Sequence, residues 1–467
     1  MRLPRMLGVA AGSCAVVLGG IGAAAPVLSA SAAASAGVFI YPDIAAFHSP
    51  MASAKPPTTA QCKHALHVAC YSANQIEHAY GVPTLFAKGI DGKGETIVLV
   101  DSYGSPTIAH DLKAFDTAYH IPAPPSLKII QPAGKVPPYK PTPNREGWAG
   151  ETTLDVEYSH AMAPGANILL VETPVAETEG VHGFPQIVKA ESYVVAHHLG
   201  DVISQSFGAT EQTFPSASKL RSLRSAYVAA AKAHITVLAS TGDFGAADVK
   251  LNGSTFYLHP VSAWPATDPL VTAVGGTQLR LTASGKRTAP DQVWNDTFNK
   301  TVNQLLTNGP GPNPIAAAGG VSAVFSRPSF QNGVKSAVGS HRGIPDVSMS
   351  AACSGFVNTY STFPGPLPGW GQVCGTSEAS PLFAGVVALA DQVAGHPLGV
   401  INPRLYQLLA AHAAGVVDVT KGNNTVAFTQ GGKLHTVHGF KAVPGYDLAS
   451  GIGTVNAALF VSELAGK

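Results

Sequence analysis

Glu151 and Asp155 stand four apart in a stretch of helical pattern, which puts both carboxylates on one helix face. Two carboxylates that close repel when both are charged, so one holds its proton more tightly than an isolated acid. Such a pair moves protons in acid, where a histidine is already charged and useless as a base. Much later in the chain, Gly375-Thr376-Ser377 runs into a small-residue, apolar helical stretch. That sequence sets a serine hydroxyl on a helix N-terminus, where free N–H groups and the dipole favour negative charge. A serine nucleophile needs such a setting, because an oxyanion forms beside it. Its customary partner is a histidine. Here the carboxylate pair takes that place, and the residues predict serine-dependent peptide hydrolysis built to work in acid.

Each signal also has a plainer reading. The acidic pair alone fits a solvated helix face with two unrelated acids. Gly-Thr-Ser is a common tripeptide. It gains weight from the context Gly-Thr-Ser-x-x-x-Pro, with Pro381 followed by the apolar helix 382–389. Asp243, in Ser240-Thr241-Gly242-Asp243-Phe244-Gly245, reads either as a turn aspartate or as an oxyanion donor. The second role requires a protonated carboxyl, hence acid or a raised pKa.

These residues need a frame. Apolar, β-branched runs at 95–100, 127–130, 167–171, 201–207, 236–240, 271–274 and 346–350 read as strands. Helical spacing appears at 108–119, 151–162, 187–198, 218–233, 377–393 and 402–411. Alternating strands and helices predict an α/β fold, doubly wound, with a mostly parallel sheet and helices on both faces. Ligands of such sheets bind outside the carboxyl ends of the strands. Asp101, residues 204–208 and Asp243 all fall there. Residues 282–318, rich in Asn, Thr, Gly and Pro, read as a long surface excursion.

The chain has 467 residues, 12% of them charged, with a formal net charge of +1. No charged surface dominates, so nucleic acid and anionic membranes are not expected partners. Arg2 and Arg5, the apolar run 7–28 and the small-residue sites at 30–32 and 34–36 read as a secretory signal over 1–36. Pro26 and the small residues argue against a membrane anchor, so a secreted, soluble protein is expected. Residues 37–75 read as a leader or arm, and 76–467 as the catalytic domain. Cys14 leaves with the signal; Cys62, Cys70, Cys353 and Cys374 remain. Three pairings of four cysteines are possible. Cys62 with Cys70, and Cys353 with Cys374, close the shortest loops.

Further motifs sit in order around these residues. Ala163-Pro164-Gly165-Ala166 follows the acidic helix. Trp264-Pro265-Ala266 and Ala273-Val274-Gly275-Gly276-Thr277 follow Asp243. Gly319-Gly320-Val321-Ser322, with Phe325, Pro328 and Gln331, precedes the serine box. Taken together, from about residue 71 to near the C-terminus, the chain resembles the sedolisin family of serine-carboxyl peptidases, relatives of the subtilisins. The resemblance implies a subtilisin-like fold and specific roles. Ser377 attacks the scissile carbonyl, Glu151 takes and returns its proton, and Asp155 hydrogen-bonds Glu151. Protonated Asp243 steadies the oxyanion with the Ser377 N–H. Ser204, Ser206 and Gly208 resemble the strand that pairs with the substrate backbone. One structural calcium ion is implied, held by Asp418 and Asp447 with carbonyls of Val419, Val443 and Gly445. Protein or peptide substrates and a monomer are expected. Many members carry a large folded prodomain; fewer than about forty residues separate the signal from the catalytic part here, so a form independent of one is expected.

Two rivals stand beside this reading. A histidine triad would use Asp101 and Ser377, but the chain lacks a His-Gly-Thr-His segment, and His110 and His160 lack that context. An inactive secreted binding protein is the other. Within the peptidase reading, an endopeptidase is expected and a tripeptidyl-peptidase-type exopeptidase is the alternative.

Overall fold

Thr96–Ser102 (β1) is aliphatic on both faces, a pattern that a strand tolerates only when both faces are covered. In the computed structural model, which describes residues 55–365 and 368–467 and the backbone of Phe47–His48, all of β1 beyond Thr96 is buried. The expected signal and most of the expected arm lie outside the described residues. After β1 come Ile108–Tyr119 (α1), Leu127–Ile130 (β2), Pro143–Met162 (α2), Asn167–Thr173 (β3), Phe184–Ala196 (α3) and Val202–Gln205 (β4). Ser225–Lys232 (α4), Thr236–Ser240 (β5), Thr272–Gln278 (β6), Gln292–Val293 (β7), Val347–Ser350 (β8), Thr376–Ala394 (α5) and Ala457–Leu464 (α6) follow. The central sheet is eight-stranded, in the order β7-β6-β5-β4-β1-β3-β2, with β8 also paired to β6. Every pairing is parallel except β6 with β7. This is the doubly wound, subtilisin-like α/β fold expected from the alternation of elements.

The chain leaves β1 for β2 and β3 on one side, then crosses to β4 on the other. A crevice opens at the carboxyl ends where a strand order reverses in this way. One hydrophobic cluster, containing α2, α5 and α6, covers one face of the sheet. A second, around Trp148, Phe184, Tyr227 and Trp264, covers the other. Helices α2 and α5 run through the interior in contact. The contact is close because residue 385 is glycine: a Cβ there would meet the Cβ of Met162 and the carbonyl of Ser159.

Three expectations change. Helix α2 starts at Pro143, eight residues before the expected start, with Thr142 as its cap and proline in the first turn. Both are ordinary helix-start signals. Residues 58–75 are not a loose arm. Thr58-x-x-Gln61 and Ser72-x-x-Gln75 form capping boxes, each opening a short helix. Between the helices, Ala69–Tyr71 pairs in parallel with Gly355–Val357 in a second, four-stranded sheet. The domain therefore takes in residues well before 76. The stretch 282–318 is not all surface, since it carries β7 and buries Trp294 and Val302 in a core shared with all four remaining cysteines. The disulfides are Cys62–Cys70 and Cys353–Cys374, the two shortest loops.

Candidate active site

Ser377 is the second residue of α5, which opens at Gly375 in a positive-φ conformation (129°) open to glycine. The space is also restricted, because a Cβ on Gly375 would strike the Asp243 carboxyl. Pro381, inside α5, has no N–H to return to the Ser377 carbonyl. The Ser206 hydroxyl lies 3.3 Å from that carbonyl and 2.8 Å from Asp155 Oδ1. One hydroxyl proton serves only one of the two. With a proton on Asp155, the carboxyl donates to Ser206 and Ser206 donates to Ser377. Ser206 thus joins the acid pair on α2 to the serine on α5.

Glu151 and Asp155 are fully buried. Burial, and then the charge of Asp101, raise both carboxyls well above the usual range. The hydroxyls of Ser377 and Ser206 lie close enough to Glu151 to oppose that rise, although no hydrogen bond closes on either Glu151 oxygen. The bond expected from Asp155 to Glu151 is not closed either; Asp155 Oδ1 meets the Ser206 hydroxyl instead. Asp101, at the carboxyl end of β1, makes a third buried carboxyl of this group. Burial pushes its pKa up to about 7, against the hydroxyl of Thr152. Its position at a strand end was visible in the sequence, but its closeness to α2 was not.

Asp243 follows β5 and faces the same crevice. Its Oδ1 accepts the Thr376 N–H (2.7 Å) and the Thr376 hydroxyl (2.8 Å). Thr376 Oγ in turn accepts the Gly242 N–H at 3.0 Å. With Oδ1 taken, a proton on this carboxyl sits on Oδ2, the oxygen beside Gly375. The carboxyl is partly open to the cleft and enclosed elsewhere, and that enclosure pushes its pKa up to about 7. Sequence reasoning missed Thr376, which orients Asp243. It also missed Glu378, one residue past Ser377, whose buried carboxyl is pushed up to about 8.

The cleft beside Ser377 is walled by Phe207, Gly208, Glu177, Glu179, Thr241 and Asp248, among others. Of the three residues expected along the substrate strand, Gly208 lines this cleft. Ser204 turns inward, where its hydroxyl meets that of Ser380 at 2.8 Å. Ser206 faces both the cleft and Asp155. Elsewhere, the turn at 443–445 meets both expected calcium carboxylates. The Gly445 N–H donates to Asp418 (3.0 Å) and the Val443 N–H to Asp447 (3.0 Å). Among the described residues no three His, Cys, Asp or Glu side chains could share a metal. A cation here would rest on two carboxylates and backbone carbonyls, an all-oxygen set of the kind a hard cation takes.

Comparison with known proteins agrees with this fold. The profile of the subtilase family matches residues 144–432. Kumamolisin of Bacillus sp. (strain MN-32) is 30% identical over 394 residues, covering 82% of this chain and 62% of that protein. Human tripeptidyl-peptidase 1 is 30% identical over 338 residues, 68% of this chain and 52% of that protein. Sedolisin of Pseudomonas sp. (strain 101) is 31% identical over 314 residues, 66% and 48%. The chain thus spans about half to three-fifths of these relatives. The solved structure of Pseudomonas sedolisin, a serine-carboxyl proteinase complexed with pseudo-iodotyrostatin, superposes with a TM-score of 0.70 at 25% identity. It covers 86% of this chain and 99% of that one.

Proposed function

The chain belongs to the subtilase family, in its sedolisin branch, and on that premise we propose that it hydrolyses peptide bonds in acid through an acyl-enzyme on Ser377. The observation that carries this reading is a buried Glu151 facing Ser377 in a cleft whose described lining contains no histidine. Ser377 Oγ attacks the scissile carbonyl and passes its proton to the ionised form of Glu151, a form that burial and Asp101 make scarcer as pH falls and that sets the acid limb of the pH profile. Asp243 donates its Oδ2 proton in a hydrogen bond to the oxyanion, next to the Ser377 N–H. Glu151 returns the proton to the leaving amine, and water then releases the acyl group by the reverse sequence. Asp155, through Ser206, braces the serine turn. Asp243 acts only while protonated, so activity falls as pH rises through about 7.

The test is digestion of a denatured protein between pH 2 and 8. Wild type is expected to work only in acid, and Ser377→Ala to lose about six orders of magnitude in kcat. Internal fragments among the products mark an endopeptidase, the reading we favour. Tripeptides alone mark the exopeptidase reading, which the likeness to tripeptidyl-peptidase 1 supports. Undiminished cleavage at pH 8 would point to a histidine-based site.

Two further parts of the reading concern the surroundings. Export to an oxidising compartment is supported by the two disulfides, and no described helix is long and apolar enough to cross a membrane. Calcium, held by Asp418 and Asp447 with carbonyls of Val419, Val443 and Gly445, would pin the C-terminal turn. Excess chelator is then expected to lower the melting temperature by about 2–4 °C, the effect of roughly 1 kcal/mol. An unchanged melting curve would remove the ion from the account.

A further inference from the structure

Resting on the peptidase reading, we propose that the Cys353–Cys374 disulfide is a positioning element of the reaction, which fixes the turn carrying Thr376 and Ser377. Cys374 leads straight into that turn through Gly375. Gly375 stands at φ 129°, and a glycine in such a conformation leaves the chain free to swing. A covalent bond on the residue just before it sets where the swing begins.

Cys353 is the anchored end of the cross-link. It follows β8, which pairs with β6 of the central sheet, and the Ala351 N–H donates to the Thr277 carbonyl at 3.0 Å. On its other side the Ser354 N–H donates to Asp296 Oδ2 at 3.0 Å, an oxygen that also accepts the Trp294 indole N–H at 2.9 Å. The Gly375 N–H donates to the Ala351 carbonyl at 2.8 Å, beside the disulfide. Past the glycine, Thr376 is bound to Asp243 Oδ1 through its N–H and its hydroxyl. The turn is thus held by sulfur behind and by Asp243 in front. Without the sulfur bridge, hydrogen bonds alone hold it.

Bracing the adjacent strands does not account for the bridge. Gly355–Ser361 and Gly369–Val373 pair in antiparallel fashion, with Val357 opposite Val373. That ladder already sets their register, so a cross-link at its base is redundant there. What the bridge adds lies on the far side of Cys374, in the residues that lead to the nucleophile. The second disulfide supplies a comparison within the same molecule. Cys62–Cys70 is equally buried and packs in the same hydrophobic cluster, with Cys70 opposite Phe356. It does not lead into the serine turn. A bridge that merely stiffened this core would behave as its neighbour does.

The experiment uses the full chain and compares Cys353→Ala/Cys374→Ala with Cys62→Ala/Cys70→Ala. Both variants are expected to melt below the wild type, and kinetics are read in acid at a temperature where both are folded. Loss of the first bridge is expected to lower kcat by about tenfold to a hundredfold with KM within about twofold, the mark of a misplaced nucleophile. Loss of the second should leave kcat within about twofold of the wild type, since no reacting group shifts. The alkaline limb gives a second reading. The Thr376 donors hold the Asp243 pKa down against burial. A turn that swings away weakens them, so the limb moves to higher pH in the first variant and stays in place in the second. The other acids that act on Asp243, namely Glu151, Asp248 and Glu378, are present in both. If the alanine pair does not fold, Cys353→Val/Cys374→Ala, which refills the core beside Trp294 and Phe356, is read in the same way. An unchanged kcat in the first variant, or an equal fall in both, would overturn the proposal and leave the peptidase reading standing. No cleavage of any peptide by folded wild-type protein would overturn both.

Discussion

Glu151→Gln is expected to lower kcat by about 10⁴-fold, the upper range for removal of a general base, with KM nearly unchanged. Glutamine fills the same volume but cannot take the Ser377 proton. Stability should move the opposite way. The folded protein holds the Glu151 proton more tightly than the unfolded chain, through burial and the charge of Asp101. Below the unfolded value that preference stabilises the fold, and it is lost as pH rises toward the folded value. At pH 7 the wild type must therefore keep a costly proton or bury a charge, and glutamine does neither. The melting temperature of the variant at pH 7 should rise by about 2 °C or more. Steady-state kinetics at the acid optimum and thermal melts at pH 4 and 7 read both effects. A loss of activity below tenfold would exclude Glu151 as the base.

The same sign governs the whole molecule. Glu77 and Asp101 are pushed up to about 7, and Glu378 and Asp391 to about 8, in each case first by burial. All four are buried. Each binds its proton more tightly folded than unfolded, so each adds stability in acid that is lost between about pH 4 and its folded value. Holding a proton tenfold more tightly in the folded state contributes about 1.4 kcal/mol, so the four together reach several kcal/mol. Thermal scans from pH 3 to 9 are expected to place the highest melting temperature in acid, with a fall on the order of 10 °C by pH 8. Glu378→Gln should blunt that fall. A melting temperature that is flat, or that climbs toward neutrality, would contradict the account.

What the sequence disclosed follows from how locally each feature is written. Ser377, the Glu151–Asp155 pair and Asp243 each lie in a few consecutive residues whose spacing states their chemistry. The alternation of apolar strands and helices was equally plain, and with it the parallel sheet. The short cysteine loops were legible as pairings because proximity in sequence enforces proximity in space. Asp101 was not legible as a neighbour of Glu151, since only the folded sheet lays the end of β1 beside the middle of α2. The link through Ser206 depends on a carbonyl freed by Pro381, a consequence of helix geometry rather than of any motif. The acidic side of the cleft, with Glu177, Glu179 and Asp248, is assembled from two distant loops, each of which alone reads as an ordinary polar turn. The first turns of α2 and the segment 58–75 are a different kind of miss. Their caps were present in the sequence and were outweighed by weak apolar periodicity.

The parallel pairing of Ala69–Tyr71 with Gly355–Val357 carries a consequence for timing. A ribosome releases the early strand long before its partner exists. Glu151 likewise waits for Ser377. During synthesis the early strand therefore has an unpaired edge, and no partial chain ending before α5 contains Ser377. Contacts of such sequence separation form slowly. On the proposed mechanism, peptide hydrolysis is thus reserved for a chain synthesised past α5, a safeguard for the cell that makes it and one that needs no inhibitor before that point.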